Sequence, residues 1–570
     1  MARELQPKLI QKLLVAFICF ISVSDCYQFG VKMMSSLERP PHVVVVGGGW
    51  GGLGASKALL QNGCKVTLID GIDPTGKTPY LTPTGKPFEA GTRGFWKDYP
   101  NIEDLVQSLG LREDEVFTPF TNSSFYSPNG LEATAPVFSL SAFPELPSPL
   151  GQVFATSRLF ERLPLPDRAS IVGLLLAMID FNRNPEVFEA YDRMTAHELF
   201  IRMGLSKRLV DDFLRPTLLV GLFKPPEELS AAVTMELLYF YALAHQTSFD
   251  VRWIKKKSIS EVIIAPLVDS LLADHGEDKF TIKSGCLVKN LAVGEKDAVS
   301  TISYVERSSG ESFKIDDVDG CVLALGSRGM KSVVSQSPEL ALKCPELSKA
   351  ASLGAIDVVS VRIWLDRTVP TRTPANVFSR FPGLRGAGGT FFMLDQLQNE
   401  DIDDLWGGAE PQGSVVACDF YNAGAIQTLS DKDIIALLME HLLPSAVPEF
   451  KEAKVVDSFV QKYPQSVTWF SPGSYLSRPP LKTSITNLMC AGDWVRMGKR
   501  EHGAKGLCQE RAYVSGLEAA NALAEVLECN EKPHKVIPIR EDEPQVKLGR
   551  KINAQVQSRL PKFLQSPWVR

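Results

Sequence analysis

Gly47, Gly49 and Gly52 stand in the spacing G-x-G-x-x-G, directly after the run Val43-Val44-Val45-Val46. That pattern suits the pyrophosphate of a dinucleotide. The first glycine permits a tight turn, the second lets phosphates approach the backbone, and the third lets a helix lie close to the strand. Trp50 and Gly51 complete the turn, where free N–H groups and the positive end of a helix would meet the phosphate oxygens. Asp70 lies about 20 residues further on, where a carboxylate accepts the ribose hydroxyls. An acid there also argues against a 2′-phosphate, and so against NADP.

These residues need particular elements to hold them. Four β-branched residues in a row suit a strand buried on both faces. An apolar helix should follow, stopped near Gly63, and then a second strand, Lys65-Val66-Thr67-Leu68-Ile69. Strand, glycines, helix, strand and terminal acid thus occur in order within residues 43–70.

Composition narrows the function. The 570 residues are 44% hydrophobic and 22% charged, which is ordinary globular composition for two or more domains. A net charge of −5 provides no polybasic footprint for nucleic acid, and Lys255-Lys256-Lys257 reads as a solvated face. The ten cysteines form no C-x-x-C pair and the seven histidines are dispersed, so no metal site is expected. Residues 1–38 read as a segment outside the fold. Lys8 and Lys12 precede an apolar run, Leu13 to Val23, of secretory type and too short for a membrane span. An internal start at Met33 or Met34 is the cytosolic alternative.

Beyond Asp70 the chain passes through a Thr-, Pro- and Gly-rich loop to a helix through Leu105 and Leu109. It changes character near residue 115. A helical block over about 156–250 contains the apolar helix Ile171 to Ile179 and a capping box at Thr195-Ala196-His197-Glu198. The stretch Leu174 to Met178 reads as buried core in preference to the wall of an apolar tunnel. Strands are expected at Cys286-Leu287-Val288, Val318 to Leu325, Val358 to Leu365, Val415 to Phe420 and Asn487 to Ala491, with a last helix from about Leu507 to Leu527. Residues 531–570 are rich in Pro and charge and read as a loosely attached tail.

Two motifs near the end carry a resemblance: Ala491-Gly492-Asp493-Trp494 and Ser515-Gly516-Leu517-Glu518-Ala519-Ala520. With the N-terminal unit they make residues 42–528 resemble the FAD-dependent amine oxidase and carotenoid desaturase superfamily. Tyr99-Pro100-Asn101, Leu109-Gly110-Leu111 and Pro225-Pro226-Glu227-Glu228-Leu229-Ser230 tilt the likeness toward the phytoene and ζ-carotene desaturase branch. The chain departs from that pattern at Thr75-Gly76-Lys77, at Cys508-Gln509-Glu510-Arg511-Ala512, and in the long, basic stretch Met497 to Lys505.

The resemblance implies an α/β fold: a Rossmann-like, three-layer FAD-binding domain of the glutathione-reductase-2 type, built from discontinuous segments, with a mixed α+β substrate domain. The FAD segments would be 39–114, 260–345 and 481–530, and the substrate segments 115–259 and 346–480. It implies FAD held by Gly47, Gly49, Trp50, Gly51, Gly52 and Asp70, with backbone contacts from Val288 to adenine and from Gly492 and Asp493 nearer the flavin. It fixes no catalytic acid or base. Arg93, Trp96, Tyr99 and His502 are the polar or aromatic candidates, each with a packing role as the competing explanation. The implied reaction is desaturation or isomerisation of an apolar isoprenoid or carotenoid, with a quinone or oxygen as electron acceptor, peripheral membrane contact and a plastid location. The substrate would lie against Ile171 to Met178, Leu218 to Phe223 and Leu237 to Phe240. The alternatives are an amine oxidase producing hydrogen peroxide, and a flavin-binding protein without turnover.

Overall fold

The computed structural model describes residues 39–140, 145–148, 150–151, 159–294, 296–529, 532–561 and 565. The N-terminal targeting segment read at 1–38 lies outside the described residues.

β1 (His42–Val46) turns through the glycines into α1 (Trp50–Gln61), and β2 (Lys65–Ile69) returns beside it. β3 (Phe280–Lys283), β4 (Gly320–Leu323) and β5 (Leu488–Cys490) complete a sheet of order β5-β4-β1-β2-β3. Every neighbouring pair in it is parallel. β1 is the central strand, so the valine run is buried as its β-branched composition requires. A three-stranded antiparallel sheet, Cys286–Val293, Val299–Glu306 and Ser312–Ile315, follows β3 in the chain.

The second large sheet has seven strands and is mixed. Its order is Val455–Thr468, Ala355–Leu365, Val415–Tyr421, Gly388–Met393, Ala375–Phe378, Ser123–Ser127 and Gly130–Ala135. Only Ala375–Phe378 and Ser123–Ser127 pair in parallel. The long strand Val455–Thr468 has no counterpart among the strands expected from sequence. It lies at the sheet edge, is largely solvent-facing and carries Pro464, which an edge strand tolerates and a central strand does not.

Among the helices, α2 (Pro100–Ser108) follows Tyr99. α3 (Ile171–Asp180) buries Leu174, Ala177 and Met178, in keeping with the core reading of that stretch, but turns Leu176 to solvent. Half of the expected capping box forms. Thr195 Oγ1 accepts from the Glu198 N–H at 3.0 Å, while the Glu198 carboxylate pairs with Arg202 one turn on. α4 (Gln509–Val526) packs along α1.

The loosely attached tail is corrected. Residues 532–561 form a strap that ends in α5 (Pro544–Arg559). Pro at the first helical position and a run of Lys, Arg, Gln and Ala favour that helix. The strap is fastened along its length. His534 exchanges two hydrogen bonds with Asn521, both 2.9 Å; Asn101 Oδ1 accepts from the Ile537 N–H at 2.8 Å; Arg540 pairs with Asp98 at 2.6 Å. On α5, Asn553 donates to Asp180 on α3 and Val546 is buried.

Candidate functional site: a dinucleotide cleft and the charged knot beside it

Each glycine of the first motif meets a different constraint. Gly47 has φ +104°, and a Cβ there would lie 2.3 Å from the Ala324 carbonyl oxygen. A Cβ on Gly52 would lie 1.7 Å from the Gly47 carbonyl oxygen, so that contact is backbone on backbone. Gly49 is unlike both, because an added Cβ would meet nothing within 4 Å. It is the N-cap of α1, with no side chain capping the helix, so the first-turn N–H groups open onto free space. Open space at the second glycine, over uncapped N–H groups, fits a pyrophosphate.

Asp70 directly follows β2 and reaches back under this turn. Its carboxylate accepts from the Gly48 N–H at 2.6 Å and from the Ile72 N–H at 2.8 Å, which holds it at the lip of the cleft. Trp50 is half-buried, edge-on to Tyr513. Gly51 faces α4: a Cβ on Gly516 would lie 1.9 Å from the Gly51 carbonyl oxygen. The Ser-Gly-x-x-Ala-Ala motif is thus the small-residue face that lets α4 touch α1. Ser515 Oγ accepts from the Gly492 N–H at 2.7 Å, tying the end of β5 to α4. Val288 lies opposite Tyr304 in the antiparallel sheet, its side chain in the hydrophobic core.

Asp493 follows Gly492, whose φ is +136°. Burial raises its carboxyl to about 6, against the pull of Arg511 and Arg478. Arg511 is the departure noted in the last motif, and its side chain lies inside the protein. It donates to the Asp493 carbonyl at 2.6 Å, to the Val495 carbonyl at 2.7 Å, and to Glu501 at 2.6 Å. Arg478 donates to the Trp494 carbonyl at 2.7 Å. Glu501 also pairs with Lys505 and with Arg183 of the helical block, and Arg183 bonds Glu236. Burial would raise the Glu501 carboxyl, but Arg511, Lys505 and Arg183 override it and hold the group well below the usual carboxylate range. The long basic stretch Met497 to Lys505 is therefore one side of a buried charged knot.

Next to the start of α4, Trp96, Tyr99, Phe240 and Tyr241 pack as an aromatic cluster, with the Tyr99 and Tyr241 hydroxyls 3.1 Å apart. Their hydroxyls face the Cys508 thiol, and burial pushes that thiol up to about 11. Glu510 accepts from Asn101 N, Asn101 Nδ2 and Ile102 N at 2.6–3.0 Å, so Tyr99-Pro100-Asn101 is the docking point of α2 on α4.

Of the four candidates, Trp96 and Tyr99 come together here. Arg93 lines a cavity of about 330 Å³ with Tyr80, Phe88, Trp253, Arg362 and Leu397. His502 is structural. Its Nδ1 accepts from the Ala504 N–H, so Nε2 carries the proton and donates to the Ile537 carbonyl at 3.0 Å, and burial lowers its pKa to about 4. The expected apolar walls also differ. The 330 Å³ cavity takes none of its lining from 171–178, 218–223 or 237–240, and it includes Glu89 and Glu261. Leu222 and Leu237 pack over Gly506 ahead of α4, while Val172 and Leu176 face solvent. Tyr241, Arg478, Glu501, Arg183 and Glu236 escaped the sequence reading. Only Arg511 and the stretch Met497 to Lys505 signalled them, as departures from the resembled pattern. Among the described residues no cluster of His, Cys, Asp or Glu could hold a metal ion.

Known proteins align with this architecture over most of its length. The chain is similar to the 15-cis-phytoene desaturase of Capsicum annuum, 24% identical over 496 residues, covering 85% of this chain and 78% of that protein. The carotenoid phi-ring synthase of Streptomyces griseus is 27% identical, over 85% of this chain and 88% of the other. Among solved structures, the cyclohexylamine oxidase of Brevibacterium oxydans IH-35A superposes with a TM-score of 0.58 at 15% identity, over 86% of this chain and all of that one. A putrescine oxidase superposes with a TM-score of 0.56 at 14% identity, over 87% of this chain and all of its own. These structural likenesses establish the fold alone. The model of the flavin containing amine oxidoreductases matches residues 51–524. The chain therefore belongs to the flavin-containing amine oxidoreductase family, and is an FAD-dependent oxidoreductase built on a Rossmann-like α/β fold.

Proposed function

We propose that this chain desaturates or isomerises an apolar isoprenoid or carotenoid-like substrate. The observation that carries the reading is the state of the carboxylates around the aromatic cluster. Asp493 faces Arg511 and Arg478, Glu501 is tied to Arg511, Lys505 and Arg183, and Glu510 is saturated by Asn101 and Ile102. Glu501 and Glu510 are committed, and Asp493 has two guanidiniums beside it, so a cationic amine would meet competing positive charge there. A long hydrocarbon needs no charged anchor, because burial gains about 0.8 kcal/mol per CH₂ group. The carotenoid-acting names of the relatives support the same substrate class.

FAD, when bound, supplies the hydride acceptor and passes electrons to a quinone or oxygen. Gly49, Trp50, Gly51 and Gly52 would hold its pyrophosphate on the α1 N–H groups, and Asp70 would accept from its ribose. Gly492 and Asp493 would lie along its middle, and the backbone of Val288 would meet adenine. The positive end of α4 favours negative charge near Cys508. Trp96, Tyr99 and Tyr241 would exclude water there. Two features support contact with a membrane surface: the exposed Leu548, Ile552 and Val556 at i, i+4, i+8 on α5, and Lys547 and Lys551 beside them. The chloroplastic relatives support a plastid location.

The test incubates the flavin-loaded protein with carotenoid precursors in liposomes plus a quinone, and separately with polyamines under oxygen. Product from the precursors, with vesicle flotation, is the expected result. The aromatic cluster favours one second reading, an amine oxidase, since aromatic faces attract cations; oxygen uptake with polyamines alone would establish it. Gly49→Val checks the cofactor site cleanly. The free space and the φ of −77° at Gly49 leave the fold intact, while the new side chain blocks the pyrophosphate. A folded, colourless protein is expected, and a stoichiometric yellow one would move the cofactor elsewhere.

A further inference from the structure

Cys64 and Cys529 are far apart in sequence, yet their Sγ atoms lie 3.6 Å from one another. Cys64 sits in the turn between α1 and β2 and is fully buried. Cys529 lies just past α4, where its N–H bonds the Ala524 carbonyl, and it is partly exposed. We propose that this pair is an oxidisable dithiol site, which takes a disulfide-bearing co-substrate through Cys529 and closes to a Cys64–Cys529 disulfide.

Three observations carry it. The two sulfurs are in van der Waals contact, so a short approach brings them to bonding distance. Their exposures differ in the sense that exchange requires: one thiol meets solvent and the other waits behind it. The Cys529 thiol is lowered because Cys64 hydrogen-bonds to it, while Cys64 is raised by that bond and by burial. The place is also a junction. Gln61 at the end of α1 contacts His534 Nδ1 at 2.6 Å, and His534 is clamped to Asn521 of α4. A bond between Cys64 and Cys529 would fix the root of the C-terminal strap to the end of the first helix.

The chemistry balances without further reagents. The Cys529 thiolate attacks a disulfide RSSR, forming a mixed disulfide as one RS⁻ leaves and takes a proton. Cys64 then loses its proton, attacks the Cys529 sulfur and expels the second RS⁻. Two thiols are oxidised and one disulfide is reduced to two thiols.

Glutathione disulfide serves as the probe, applied to the purified full-length flavoprotein, with alkylation and peptide mass mapping as the readout. The expected result is one intrachain crosslink per chain joining the Cys64 and Cys529 peptides, reversed by reduced glutathione. Cys64→Ala should instead accumulate glutathione on Cys529, because the resolving thiol is gone. Cys529→Ser should take up neither crosslink nor glutathione at Cys64. The wild-type measurement needs no substitution, so misfolding of a variant leaves the outcome readable. Full alkylation of both cysteines after exposure to excess glutathione disulfide overturns the proposal, as does a crosslink mapping to another pair.

Discussion

Around α1 the chain removes side chains until backbones touch, with the Gly51 carbonyl against Gly516 of α4 and the Gly47 carbonyl of the preceding turn against Gly52. A few residues away, at Arg511, it drives a long cation into the interior and surrounds it with carbonyls and a carboxylate. The first region has no room for change, because every atom added meets backbone. The second holds only while its charges are matched, since an unpaired buried charge costs far more than a paired one gains. Both regions border the same cleft, so one fixes its shape and the other its electrostatics.

That contrast can be broken at either side. The largest effect is expected from Gly516→Val, which forces α4 away from α1. Stability should fall by about 4 kcal/mol or more, with loss of flavin, measured by urea unfolding and absorbance. Near-normal stability with flavin retained would mean that the close approach is not required. Glu501→Gln comes next. It leaves Arg511 and Lys505 buried without their carboxylate, and should cost about 3–5 kcal/mol. Adding Lys505→Met should recover part of that loss; strict additivity of the two would show that the knot is not one coupled unit.

A smaller effect, dependent on pH, belongs to His502. Its folded pKa of about 4 lies below the unfolded value of 6.5, so the unfolded chain binds the proton first as pH falls. The stability involved is intact above pH 6.5 and is lost progressively toward pH 4. From pH 7 to 5 the wild type should lose about 2 kcal/mol more than His502→Gln. Equal losses in chemical denaturation at the two pH values would place the ring in solvent. The smallest expected change is from Asp70→Asn. It keeps the shape but weakens charge-assisted hydrogen bonds of about 1.5–3 kcal/mol each, so FAD affinity should drop about tenfold. Unchanged affinity in a flavin fluorescence titration would separate Asp70 from the ribose.

The same contrast explains what could be read from sequence. The unit from Val43 to Asp70 was legible because its physics is local: valines for a doubly buried strand, glycines for contact and turn, and an acid at the strand end. The Ser515-Gly516 motif was legible for the same reason. The knot was not, because Arg183, Glu236, Arg478, Glu501 and Arg511 come from separate segments and no periodicity links them. The strap was misread because α5 buries little more than Val546 and so carries a weak amphipathic pattern. Its fastening depends on single polar partners such as Asp98 and Asn101, which look like any surface residue in one dimension. The 330 Å³ cavity was missed because its lining is gathered from widely separated segments of the chain.

The contact between Gly51 and Gly516 also bears on how the molecule is made. β1 and α1 leave the ribosome early, but β5, α4 and the carbonyls that hold Arg511 come only after residue 488. At about 5–20 residues per second, that interval lasts on the order of twenty seconds to a minute and a half. Throughout it the glycine face of α1 and one edge of the central sheet stay uncovered. The nascent chain must therefore be shielded until α4 arrives, and a ribosome stalled before residue 488 should display the four-stranded, unfinished sheet in soluble form only with a chaperone bound to it.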